Sequence, residues 1–98
     1  MNTLILTLCK QGAVLNVNAN DARSPLARET GLLAYMTIRQ ALDVLQAGYS
    51  PRVAKSVLHG LAADHYRDSK VYQDRNRQRR ERLQYALFSS IAKRVVVA

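Results

Sequence analysis

Five arginines fall within eight residues of this chain, at Arg75, Arg77, Arg79, Arg80 and Arg82 of "YQDRNRQRRER". A guanidinium pairs in bidentate fashion with phosphate oxygens, and a row of them displaces counterions from a polyanion, so binding weakens with salt. On a helix Arg75, Arg79 and Arg82 share one side, while Arg77 and Arg80 share another. A helix charged all round cannot be buried, so this stretch projects from the core or lies against something negative. The plain alternative is a solvated face steadied by Asp74 and Glu81, three and four residues from several of the arginines. Five arginines are more than two acids can pair.

A second set lies upstream. Arg52, Lys55, Ser56 and His59 stand on the open face of a helix that starts at Pro51, opposite the apolar stripe Val53, Ala54, Val57, Leu58, Leu61 and Ala62. From such positions the recognition helix of a helix-turn-helix reaches base edges and phosphates. The joint before them is "LQAGYSPRVAKSVLHGL", residues 45 to 61. Gly48 tolerates a positive φ, Ser50 caps the new helix, and Pro51 stiffens its first turn. Two antiparallel helices of any function also need a short turn, and Gly-Tyr-Ser-Pro makes one. Both readings stay open on the turn alone.

Within that joint, "AGYSPRVAKSVL" resembles the AGYSP-x-x-A turn in the N-terminal helix-turn-helix of phage terminase small subunits. The likeness rests on Ala47, Gly48, Tyr49, Ser50, Pro51 and Ala54 and covers about a dozen of the 98 residues. It implies a helix-turn-helix whose second helix begins at Pro51. The arginine stretch is similar in composition to the arginine-rich RNA-binding helices of lambdoid phage antitermination proteins.

The charge agrees with a polyanionic partner. The chain is net +8, with a pI near 10.3. Residues 1–50 hold four basic and three acidic side chains, whereas residues 51–98 hold eleven and four. Whatever meets an anion sits in the second half. Catalytic or metal chemistry has little to stand on. His59 and His65 lie six residues apart and face different ways, no Cys/His set has ligand spacing, and the acids are scattered singly. Cys9 has no base near it in sequence and reads as packing. No glycine-rich phosphate loop is present, so no cofactor or metal is expected and an enzyme is the least supported class.

The elements that must position these residues follow from patterning. A chain of 98 residues, 48% of them hydrophobic, suits one domain with a modest core. "TLILTLCKQGAVLNVN" predicts a β-hairpin over 3–19, turning at Gln11-Gly12 and pairing Leu8 with Leu15, Leu6 with Val17 and Leu4 with Ala19 on one apolar face. Ser24-Pro25 opens a helix that the apolar arc predicts over 25–47, with Gly31 as a late start or bend. Two more helices are predicted over 51–66 and 69–94, the second packing through Leu83, Leu87, Phe88 and Ile91. "RVVVA" ends the chain as a short strand or an apolar tail. The predicted fold is therefore α+β, mainly α: a hairpin on a three-helix unit with a helix-turn-helix-like turn.

A lone cysteine suits a reducing, cytoplasmic setting. Residues 3–9 are apolar but too few to span a bilayer and lack a basic leader, so neither a signal peptide nor membrane insertion is expected. These readings converge on a small basic non-enzymatic regulator of phage or mobile-element type, contacting nucleic acid (DNA favoured, RNA the alternative) through residues 52–59 and 75–82. The competing function is a small inhibitor or adaptor covering a host protein through the hairpin edge or by docking the basic helix on an acidic surface. A helix-turn-helix this small commonly binds as a dimer, with the hairpin or Val95–Val97 supplying the contact.

Overall fold

A computed structural model describes residues 2–97, which form four helices: α1 (Asn2–Asp21), α2 (Pro25–Leu45), α3 (Pro51–Val71) and α4 (Arg75–Arg94). No strand occurs among the described residues, so the fold is all-α and the β-hairpin expected over 3–19 is not formed. The reason lies in which residues are buried. Leu4, Leu8, Gly12 and Ala19 are buried and Leu15 half-buried, at spacings of three and four that place them on one helical face. Leu6 and Val17, which a hairpin would have turned inward, stand 62% and 58% exposed. A helix also satisfies its own backbone along twenty residues, whereas a lone hairpin leaves two open edges.

Two antiparallel helical hairpins make up the molecule, α1 with α2 and α3 with α4, and α2 joins them through α4. Arg28 closes the first connection by donating to the Ala22 carbonyl at 3.2 Å. Ser24 caps α2 by accepting from Ala27 N at 3.3 Å, with Pro25 at the first helical position. Gly31 lies inside α2 because α1 crosses it closely. A Cβ there would stand 2.8 Å from the Ala19 Cβ. The glycine that reads as a weak point in the sequence is the contact point of two helices.

Between α2 and α3 the chain turns at Gly48, whose φ is +88°. Ser50 then caps α3 by accepting from Val53 N at 3.3 Å. α3 runs five residues beyond the expected Tyr66, and the expected start of the last helix at Ser69 falls inside it. The true break is Tyr72–Asp74, where Asp74 accepts from Asn76 N at 2.9 Å and the Gln78 amide donates to the Tyr72 carbonyl. Asp74, expected to steady arginines, is the N-cap of α4. At the other end Val95 caps α4 and is buried, while Val96 and Val97 are exposed and form no strand.

The core gathers Leu8, Leu42, Leu58 and Phe88, all fully buried, with Leu45, Ala54, Ile91 and Val95 around them. Thr37, also buried, donates to the Leu33 carbonyl at 2.8 Å, so its hydroxyl is satisfied within its own helix. The outer side of α1 also carries apolar side chains. Leu6, Val14 and Val17 lie open to solvent there, so α1 is apolar on both its faces.

The α1–α2 crossing makes a test. Gly31→Ala should destabilise the protein by about 1–3 kcal/mol in urea unfolding, despite alanine's better helix propensity, because the added methyl meets Ala19. Gly60, on the open face of α3 with nothing within 4 Å of its Cβ position, should behave oppositely, Gly60→Ala gaining about 0.5–1 kcal/mol. Equal effects at the two sites would overturn the close-approach account.

Candidate nucleic-acid interface

The α3/α4 hairpin is built on His65. Its ring stacks on Phe88, with centroids 5.6 Å apart and planes within 9°. His65 Nδ1 donates to Glu81 Oε2 at 2.5 Å, and both side chains are half-buried. Glu81, expected to pair with arginines, is thus held between the helices. With Asp74 at the cap, neither acid forms a salt bridge with an arginine among the described residues.

The arginines then divide by helix side. Arg80 meets Glu29 of α2 at 3.3 Å, and the Arg77 guanidinium lies 4.0 Å over the Tyr72 ring. Both line a solvent-open cleft of about 560 Å³ with Leu26, Glu29 and Leu33 of α2. Arg79, Asp74 and Glu81 line that cleft too, whereas Arg75 and Arg82, seven residues apart, occupy the other flank. Among the described residues Arg75, Arg77, Arg79 and Arg82 form no salt bridge.

On α3 the four expected contact residues are placed unequally. Arg52, Ser56 and His59 are exposed. Lys55 is half-buried, and its Nζ donates to the Val95 carbonyl at 3.1 Å, closing the C-terminal end of α4. The arginine stretch lies at the opposite end of the hairpin and does not cover Arg52 or His59, since antiparallel pairing sets residues 75–82 beside the last turns of α3.

Both sets nevertheless share one side. Arg52, His59 and Tyr66 recur at seven-residue steps along α3, within about 40° of one line, and Lys70 continues it. Tyr66 meets Tyr85 of α4, centroids 5.0 Å apart and planes at 48°, which joins that line to the Arg75–Arg82 flank. The Lys70 ammonium lies 4.4 Å over the Tyr66 ring. Asp64 and Asp68 stand two residues either side of Tyr66, so they point about 160° away, and Asp64 holds Arg67 at 2.6 Å. The result is a strip about 27 Å long from Arg52 to Lys70, flanked by Arg75 and Arg82, with no free carboxylate along it.

Sequence reasoning missed Tyr66, Lys70 and Tyr85. Tyr66 and Lys70 carried a legible signal, a seven-residue step from His59 to Tyr66 and a four-residue step on to Lys70. Tyr85 carried none, because only the pairing of α3 with α4 brings it alongside. Lys70 lowers the Tyr66 pKa from the ordinary 10.0, by hydrogen bonding toward the phenol and by its charge. Arg82 adds to the lowering, against an opposing effect of burial.

Among the described residues no three His, Cys, Asp or Glu side chains gather as a metal set, and no helix is long and apolar enough to cross a membrane. Lys55→Ala should cost about 0.5–1.5 kcal/mol of stability through the lost bond to Val95, whereas Arg52→Ala should stay within about 0.5 kcal/mol. Equal values in urea unfolding would contradict their different placement. In an absorbance titration of the phenolates, one tyrosine should ionise below 10.0, and Lys70→Met should move that transition upward. A curve unmoved by Lys70→Met would remove Lys70 as the cause.

No protein-family model, curated protein or solved structure matches this chain.

Proposed function

We propose that this chain is a small, basic, non-enzymatic nucleic-acid-binding regulator that lays the α3/α4 face along a phosphate backbone. DNA is the favoured partner and RNA the alternative, in a cytoplasmic setting of the kind phages and mobile elements act in. One observation carries the reading: Arg52, Lys70, Arg75 and Arg82 share a face on which every nearby carboxylate is turned away or engaged elsewhere. Exposed Arg52, Ser56 and His59 at the start of α3 support a groove-facing role for that end, in keeping with the turn it resembles. Lys55 serves the fold as well as the face.

The competing function, covering another protein, loses the hairpin edge and keeps only the basic helix. A separate observation favours self-association. The outer side of α1 exposes Leu6, Val14 and Val17, and α1 carries a single lysine and a single aspartate. A second copy meeting it there would keep the two strongly basic halves apart. Sedimentation should show a dimer that Leu6→Lys with Val17→Lys returns to monomer; a monomer at all concentrations would exclude it.

Affinity for random duplex DNA should fall steeply with salt, the logarithmic slope being about −4 for four or five neutralised phosphates. Reversing Arg52, Arg75 and Arg82 to glutamate should cut affinity more than about tenfold and flatten that slope by about 3. Reversing Arg28 and Arg39 of α2 should do much less. Salt-independent affinity, or equal losses from both sets, would overturn the proposal.

A further inference from the structure

Resting on the nucleic-acid reading above, we propose that Tyr66 and Tyr85 form a stacking platform for unpaired bases, so that the α3/α4 face holds a single strand through its bases as well as its phosphates. The two rings stand side by side on adjacent helices, 44% and 36% exposed. They are the aromatic centre of an otherwise cationic strip. The Lys70 ammonium lies over one face of the Tyr66 ring, 4.4 Å from its centroid, leaving the other face and the Tyr85 ring for a base, and Arg82 is close enough for its charge to act on the Tyr66 hydroxyl.

Three kinds of anionic partner would use this face differently. An acidic peptide would engage the cations and leave two rings without a counterpart. A duplex offers phosphates but keeps its base faces stacked inside, so the rings again gain nothing. A single strand offers phosphates and π-faces together, and base–aromatic stacking tolerates any sequence. Lys70 and Arg82, flanking the rings, would take the phosphates on either side of a stacked base. Tyr72 and Tyr49 serve as internal comparisons. Tyr72 lies beyond the end of α3 with Arg77 over its ring and, among the described residues, no second ring beside it, and Tyr49 stands exposed in the α2–α3 turn, at the opposite end of α3 from Tyr66.

The test uses the full chain and three labelled probes of equal length: an oligothymidine strand, an abasic sugar-phosphate strand and a random duplex. An oligouridine strand separates RNA from DNA. The thymidine strand should bind about ten- to a hundredfold tighter than the abasic strand. Because the chain has five tyrosines and no tryptophan, stacking should also quench its intrinsic emission. Tyr66→Leu with Tyr85→Leu should bring that affinity ratio close to one while leaving duplex binding and its salt slope intact. Tyr66→Phe with Tyr85→Phe should retain the ratio, and Tyr49→Leu should not change it. Equal affinity for thymidine and abasic strands, or a ratio that survives the double leucine variant, overturns the platform alone. Failure to bind any of these probes at low salt overturns the nucleic-acid reading beneath it.

Discussion

Everything on the basic face depends on the register of α3 against α4, and that register is held at two places. At one, His65 is caught between the Phe88 ring and the Glu81 carboxylate. At the other, Lys55 reaches the Val95 carbonyl. A slip of one turn, about 5.4 Å, would separate every one of these partners and part Tyr66 from Tyr85. Stacking against a fully buried phenylalanine and a directional bond to a half-buried carboxylate both discriminate sharply against that slip. Glu81 therefore acts twice. It locks the hairpin, and by pairing with His65 it leaves Arg77 and Arg82 without a salt bridge.

The three C-terminal helices were legible because their signals are local and agree with one another. Ser24-Pro25 and Ser50-Pro51 announce helix starts, and the caps form as the residue types require. α1 was not legible for a physical reason. In "TLILTLC" leucine and isoleucine stand at both alternating and helical spacings, so either period finds an apolar face. Leu6 and Val17 distinguish the two only through where they end up, and both end up outside. Tertiary context chose between the periods, since α2 offers α1 a whole length to lie against.

The site was legible as charge and illegible as geometry. Spacing alone separates Arg75, Arg79 and Arg82 from Arg77 and Arg80. It cannot show that Asp74 and Glu81 have other employment, because the cap and the His65 bond arise from the break at Tyr72–Asp74 and from the pairing of α3 with α4. Lys55 illustrates the converse. Its position on the wheel marks it as outward, yet its long side chain returns to a carbonyl forty residues away.

The pairing of consecutive helices also says something about how the chain reaches this state. α1 closes on α2, and α3 on α4, across connections of three residues each, so both main interfaces form at small loop-closure entropy. Such topologies place most native contacts close in sequence and commonly fold in microseconds to milliseconds. During synthesis the nearly neutral pair emerges first and the basic pair last. The most charged segment of the chain thus meets, immediately upstream, the helix that turns scattered cations into one surface.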